Sequence, residues 1–284
     1  MEQAIVMQNF TKRYQDFAIE NMNLEIPTGY ITGFVGKNGA GKTTTIKGML
    51  DMFSFEGEVA VLGSSVREHA AALKNRIGIV PSGFIEECTV KDFVRIIAPF
   101  CAQWDMARFT DYIRRFEVSM DKKISELSRG MRVKLGLAVA LSHHAELFLL
   151  DEPTAGLDPM VRDEILDIFM DLMQDEKKTI FFSTHITSDL DKVADYIVLI
   201  EQGHILFNQP KDQLLDQHVL VKGERGRLTD TLKAQLVGYK EHDYGFEGLS
   251  RPGSRITADG LVTARPNVEQ LMMYYIRGIE HELD

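Results

Sequence analysis

The segment Gly36-Lys37-Asn38-Gly39-Ala40-Gly41-Lys42-Thr43 has the composition of a phosphate cradle. Its glycines let the loop wrap so that successive backbone N–H groups point inward, and a helix beginning behind it adds the positive end of its dipole. The spacing G-x-x-x-x-G-K-[ST] lets Lys42 reach β- and γ-phosphates and lets Thr43 offer its hydroxyl to Mg²⁺. A second group stands farther along. Leu147-Phe148-Leu149-Leu150 is an apolar run that ends in Asp151 and Glu152. Two carboxylates at the carboxyl end of a buried strand sit where open α/β sheets bind ligands. Asp151 is expected to hold Mg²⁺ through water, and Glu152 to polarise an attacking water as general base.

Both groups need a sheet behind them. Tyr30–Val35, Glu58–Gly63, Ile77–Val80, Leu147–Leu150 and Thr179–Phe182 are compact apolar runs suited to buried strands. Earlier runs, Ala4–Met7, Phe17–Ile19 and Met22–Ile26, read as short antiparallel strands. Between about residues 82 and 138, apolar residues recur at helical spacing, as in Phe93, Ile96, Ile97 and Phe100, then Phe109, Tyr112, Ile113 and Phe116. Pro159 opens a further helix, with Asp163 and Glu164 near its start and Lys177 and Lys178 near its end, complementing the dipole. Its inner face is Ile165, Ile168, Phe169, Leu172 and Met173. Strands alternating with helices predict a largely parallel sheet covered on both faces. After about Leu220 glycines interrupt short runs, predicting a small α+β unit over 221–284 closed by a helix around Val268–Ile276.

Composition narrows the partners. A net charge of −10 over 284 residues argues against nucleic acid as the main partner. Cys88 and Cys101 form no metal-like or Cys-x-x-Cys spacing, which predicts reduced thiols. The start MEQAIVMQNF lacks a basic stretch followed by an apolar core, and no run approaches the roughly 18 apolar residues of a spanning helix. A cytoplasmic chain is expected.

Further motifs extend this pattern. Glu126-Leu127-Ser128-Arg129-Gly130-Met131 precedes Asp151, Gly156-Leu157-Asp158-Pro159 follows it, and Ser183-Thr184-His185 ends the next apolar run. Together with the two groups above, they resemble the signature motif, D-loop and switch histidine of ABC-type ATPases, in family order from Ala4 to about Leu220. The resemblance implies a P-loop NTPase with a RecA-like α/β core, an antiparallel β subdomain, and a helical subdomain over about 82–138. The nucleotide-binding domain would occupy 1–220. ATP and Mg²⁺ are the implied cofactors. Nucleotide contacts are expected from Gly36, Asn38, Gly39, Gly41, Lys42, Thr43 and Thr44, with Tyr14 stacking on adenine. His185 would join Glu152 and Lys42 in catalysis, and Thr43 and Asp151 would hold the metal.

The family's head-to-tail pairing implies that Ser128 and Gly130 serve a nucleotide held by a second ATPase subunit, most simply an identical one, and Asp158 of the D-loop is a further expected nucleotide contact. A hydroxyl and a backbone N–H at a helix start suit a γ-phosphate. ATP then acts as the adhesive, and hydrolysis loosens the pair. The chain departs from the pattern at two places. Arg129 and Met131 replace a glycine and the glutamine of the usual Leu-Ser-Gly-Gly-Gln; Arg129 either adds a cation near the interface or lies in solvent. Ser82 stands where the family usually carries a glutamine, making it a weak metal-side candidate and predicting slower or differently coupled hydrolysis.

The sequence resembles the YtrB-like and bacitracin-resistance group of exporter ATPases, and those of exporters for phenol-soluble-modulin-type peptides. An integral membrane partner at the inner face of the cell membrane is therefore expected, with Phe84, Ile85, Phe100 and Trp104 as contacts or as local core. Two other classes remain open at this level. One is a low-turnover regulatory protein gated by nucleotide, and the other is an ATPase acting on ribosomes or DNA.

Overall fold

The computed structural model describes residues 2–80, 87–254, 256 and 260–283. The chain opens with β1 (Gln3–Arg13) and β2 (Ala18–Pro27), paired antiparallel. Both are longer than the apolar runs indicate, because register shifts on either side of Phe10 carry the pairing through the polar Gln8-Asn9 step. The short, wholly buried β3 (Ile31–Val35) leads into the glycine loop and α1 (Lys42–Met49). Then come β4 (Glu56–Val61), β5 (Ser64–Ser65), α2 (Ala70–Lys74) and β6 (Ile77–Ile79). The helical stretch holds α3 (Val90–Ile97), α4 (Met106–Arg115) and α5 (Arg129–Ser142). Next are β7 (Leu147–Asp151), α6 (Pro159–Leu172), β8 (Thr179–Thr184), α7 (Thr187–Val193), β9 (Tyr196–Glu201) and β10 (His204–Pro210).

These strands form two sheets. One is antiparallel, ordered β2-β1-β4-β5. The other is ordered β10-β9-β3-β8-β7-β6 and is parallel from β9 to β6, with β10 antiparallel at its edge. Strand periodicity divides its side chains between two cores. Ile180 and Phe182 of β8 and Phe148 and Leu150 of β7 face Leu137, Ile165 and Leu190 of the helices. Phe181, Leu147 and Leu149 face Phe10 of the antiparallel sheet and Ile46 of α1. Burial on both faces is the reason these strands read as continuous apolar runs.

Helix α6 starts at Pro159 as expected, but its charges act differently. Asp163 pairs with Lys192 at 2.6 Å and Glu164 with Lys134 at 2.6 Å, while Lys177 and Lys178 lie beyond the helix end. Long-range pairing thus uses the groups assigned to the dipole. Its buried face is Ile165, Leu166, Phe169 and Leu172. In the helical stretch α3 stops at Ile97. Phe100 falls in a separate 3₁₀ turn containing Pro99 and is 79% exposed, whereas Trp104 packs on Phe109 with ring centroids 5.3 Å apart. Phe84 and Ile85 lie outside the described residues.

The remaining elements are α8 (Lys211–Asp216), β11 (Leu220–Gly223), α9 (Asp230–Ala234), β12 (Leu236–His242), β13 (Gly245–Ser250), β14 (Leu261–Ala264) and α10 (Val268–Leu283). Their antiparallel sheet runs β12-β13-β11-β14. Helix α10 extends past the expected end at Ile276 and packs on β12, β13 and α7. Leu271 and Tyr274 of α10 share one continuous apolar core with Leu190 and Val193 of α7. Tyr274 donates to Glu247 at 2.7 Å, and His218 is sandwiched between the Ser250 carbonyl, 2.6 Å away, and the Tyr275 hydroxyl, 3.1 Å away.

Candidate functional site

The glycine loop joins the end of β3 to the start of α1, so the strand's carboxyl edge fixes where the loop sits. Two of its glycines are required sterically. A Cβ at Gly36 would lie 2.2 Å from the Ile200 carbonyl oxygen, and Gly41 has φ 115°, where side chains are strained. Gly203, in the turn after β9, donates its N–H to the Ala40 carbonyl at 2.9 Å and braces the loop from behind. Gly41 caps α1 without a side-chain bond, so first-turn N–H groups face the loop available to an anion.

Lys42 is 6% exposed and lies back across the loop. Its Nζ donates to the carbonyls of Gly36 at 2.8 Å and Lys37 at 3.2 Å, and stands 3.4 Å from Glu152 Oε1. Burial of an ammonium demands such partners. The next residue binds the neighbouring acid: Thr43 Oγ1 donates to Asp151 Oδ2 at 2.8 Å. The other Asp151 oxygen accepts from Ser183 Oγ at 2.6 Å, and that same hydroxyl accepts the Glu152 N–H at 2.9 Å.

Adjacent residues of a regular strand point to opposite faces. Here Asp151 and Glu152 serve one site because Glu152 leaves the strand with φ 49°, a left-handed conformation costly for a non-glycine residue. The Ser183 bond to its N–H helps hold that turn. The Glu152 carboxylate then lies between two groups, with Lys42 on Oε1 and His185 Nδ1 2.7 Å from Oε2. A carboxylate only accepts, so His185 presents Nδ1–H to it.

These residues surround a cavity of about 530 Å³. Its walls include Tyr14, Asn38, Gly39, Gly41, Lys42, Thr43, Thr44, Glu152 and His185, and also Phe17, Arg129 and Ala155. Tyr14 is half exposed at the rim, edge-on to Phe53, with Lys12 Nζ 5.3 Å from its ring centre. An aromatic face at one end and a cation with backbone N–H groups at the other suit a nucleotide. The hard oxygens of Thr43 and Asp151, already in contact, form a donor pair suited to Mg²⁺.

Other candidates stand elsewhere in the single chain. Ser128 caps α5, its Oγ accepting the Met131 N–H at 3.3 Å. Gly130 is buried, and a Cβ there would lie 2.3 Å from Val161 Cγ1 of α6. Asp158 caps α6, accepting the N–H groups of Met160 and Val161 at 3.1 Å each. Gly36 supports the loop from outside the cavity lining. Ser82 lies outside the described residues.

Sequence reasoning overlooked Ser183, whose only signal was its place beside Thr184-His185, and Phe17, an aromatic close to Tyr14. It also overlooked Asp189 on α7. This fully buried carboxylate accepts from Thr154 Oγ1 at 2.6 Å and Arg162 Nε at 2.5 Å. It ties the segment after Glu152 to the helix that follows His185.

A family model described as ABC transporter matches residues 19–155, and one for an AAA domain matches residues 121–190. The bacitracin transport ATP-binding protein BcrA of Enterococcus faecalis is 34% identical over 72% of this chain and 69% of its own length. BcrA of Bacillus licheniformis is 30% identical over 92% of this chain and 88% of its own length. Among solved structures, an ATP-binding subunit of an ABC transporter aligns with TM-score 0.67 and 22% identity, covering 75% of this chain and 92% of that one. The ATP-binding cassette MJ0796, solved as a dimer bound to ADP and Pi, aligns with TM-score 0.65 and 21% identity over 72% of this chain and 98% of its own. These structural likenesses concern the fold.

Proposed function

Because this chain belongs to the ABC transporter family of ATP-binding subunits, we propose that it drives a bacterial exporter by binding and hydrolysing ATP in the cavity between its glycine loop and Glu152. Among the described residues no helix is long and apolar enough to cross a membrane, so a separate membrane subunit would carry the cargo. The BcrA relatives are named for bacitracin transport, and a third relative, from Rhizobium meliloti, for Nod factor export. An antimicrobial or amphipathic peptide is the cargo this similarity favours. The working position is the inner face of the cell membrane.

The observation that carries the mechanism is the position of Glu152 between Lys42 and His185. A triphosphate competes for Lys42, since phosphate oxygens are stronger partners for an ammonium than backbone carbonyls. Drawing Lys42 away releases Glu152 Oε1 to accept a proton from water, while His185 keeps the carboxylate aimed through Oε2. Thr43 and Asp151 would hold Mg²⁺, which when bound neutralises phosphate charge. Tyr14 would stack on the adenine.

Ser128 and Gly130 fit a nucleotide held by a second copy better than one held by their own chain, since neither lines the chain's own cavity. We assign residues 1–220 to the nucleotide-binding domain, with its helical part at about 82–138, and residues 221–284 to an accessory domain.

The test is Glu152→Gln, which keeps the shape and removes the base. Turnover should fall by roughly 10²–10⁴ while ATP still binds and a dimer accumulates. Undiminished turnover would remove Glu152 from the chemistry. A variant that binds ATP yet stays a single chain would refute the shared site.

A further inference from the structure

Glu152 and His185 each follow the last residue of a strand, and those strands, β7 and β8, pair in parallel as far as Asp151 beside Ser183. Up to there the sheet fixes their separation, helped by the Ser183 bond to the Glu152 N–H. Beyond it the chains part. Glu152 begins the loop that runs to Asp158, and His185 is followed by α7. The loop's backbone bonds are turns within itself: the Ala155 N–H reaches the Glu152 carbonyl and the Leu157 N–H the Thr154 carbonyl, each at 3.3 Å. Neither bond ties the loop to α7. The Glu152–His185 contact is open to the cavity, and an exposed polar contact is worth little by itself.

The missing tie is made by side chains out of water. Thr154, in the loop after Glu152, is fully buried, and its Oγ1 donates to Asp189 Oδ2 at 2.6 Å. Asp189 lies in the first turn of α7, is also fully buried, and donates its N–H to the Ile186 carbonyl at 3.1 Å. The contacts close a ring. Glu152 meets His185 on the cavity side, and Thr154 meets Asp189 on the buried side. A carboxylate taken out of water needs a cation, and Arg162 of α6 supplies one, its Nε donating to Asp189 Oδ1 at 2.5 Å. Valine would fill the Thr154 site with the same shape; what the hydroxyl adds is the bond to Asp189.

We propose that Asp189 is a positioning residue for hydrolysis: through Thr154 it fixes the loop that carries Glu152 against the helix that follows His185, and so keeps those two cavity groups in register. This assignment rests on Glu152 being the base. Neither Asp189 nor Thr154 lines the cavity, so loss of their bond leaves Lys42 and Thr43 in place for phosphate. What changes is the aim of Glu152. Its left-handed backbone, φ 49°, persists only where the surroundings hold it, and without Thr154 the hold is one-sided, through Ser183. The effect therefore falls on kcat and spares nucleotide affinity.

The test measures steady-state ATP hydrolysis, equilibrium Mg-ATP binding and thermal melting of the full chain. Wild type is compared with Thr154→Val, Thr154→Ser, Asp189→Asn, Glu152→Gln and the double variant Thr154→Val/Glu152→Gln. Thr154→Val should lower kcat about 10- to 100-fold and leave ATP affinity within about twofold, the pattern of a reacting group misplaced by about 1 Å. Thr154→Ser keeps the hydroxyl and should recover most of that loss. Asp189→Asn should follow Thr154→Val; if it does not fold, the two Thr154 variants decide alone. In the Glu152→Gln background Thr154→Val should cost almost nothing more, because the group it aims is already gone. A role in packing alone would add its full loss there. Unchanged kcat in Thr154→Val, equal falls in kcat and affinity, or additive losses in the double variant would overturn the proposal. Undiminished turnover by Glu152→Gln would instead refute Glu152 as the base, and the positioning role would fall with it.

Discussion

The phosphate-loop region and the signature region differ in how fully their polar groups are used. Around Lys42, Thr43, Asp151, Glu152, Ser183 and His185, each side chain already has a partner from its own chain. Around Ser128, Arg129 and Gly130, backbone and packing needs are met, but the Arg129 guanidinium is unpaired among the described residues. The first region is organised by contacts within the chain, and in the proposed function nucleotide binding would exchange some of them for phosphate contacts. The second is rigid in its backbone and unfinished in its chemistry. This contrast is the one expected if the two regions serve different nucleotides, as proposed above.

The largest effect that sharpens this contrast should come from Lys42→Ala. Removing the cation takes away the one buried ammonium that the glycine loop offers to phosphate and leaves Glu152 Oε1 without its Lys42 partner. ATP-induced thermal stabilisation, about 2.7 kcal/mol at a hundredfold excess over Kd, should disappear. Undiminished stabilisation would break the contrast, because the organised region would not be where ATP binds.

Gly130→Ala should have an intermediate effect of a different kind. Its methyl group would overlap Val161, forcing α5 away from α6 at a cost of about 1–3 kcal/mol in stability. Val161→Ala in the same chain should recover much of the denaturant midpoint. If the single variant melts like wild type, the signature backbone is not rigid and the comparison loses one side.

The smallest effect comes from outside both regions. Burial pushes the imidazoles of His143 and His218 below their ordinary range. A group that resists protonation in the folded state lets the unfolded state take up more protons as pH falls. Stability from these groups is therefore complete above the ordinary histidine value and declines on acidification below it. His218→Gln should flatten that decline between about pH 7 and 5 in thermal melts. A decline of unchanged slope would assign the acid sensitivity elsewhere.

Much of the organised region was legible because its instructions are local. The glycine-loop motif occupies eight consecutive residues, six between β3 and α1 and two at the start of α1, and Asp151 and Glu152 simply follow four apolar residues. The conformational detail was less accessible. The left-handed Glu152 depends on a hydroxyl at Ser183, and the alternation rule alone would separate Asp151 from Glu152. Arg129 could be placed at the interface or in solvent from its type, but its course past Gly156 depends on the packing of α5 against α6. Asp163 and Glu164 illustrate the same limit. Their position suggested a dipole role, and partners 29 and 30 residues away decided otherwise. The edges of β1 and β2 were underestimated for a related reason, since bulges permit polar positions inside a strand.

The joint between α10 and α7 has a consequence for how the chain can be divided. Leu190 and Val193 of α7 are buried in a core that Leu271 and Tyr274 of α10 complete. A chain cut after residue 220 would keep every motif from the glycine loop to His185, yet leave this apolar flank of α7 bare. The same short helix carries Asp189, which anchors Thr154 and Arg162. Loosening its outer side would therefore slacken the ground beneath Glu152. The final helix acts as a buttress: none of its residues lines the cavity, yet it covers the helix whose Asp189 anchors the loop after Glu152.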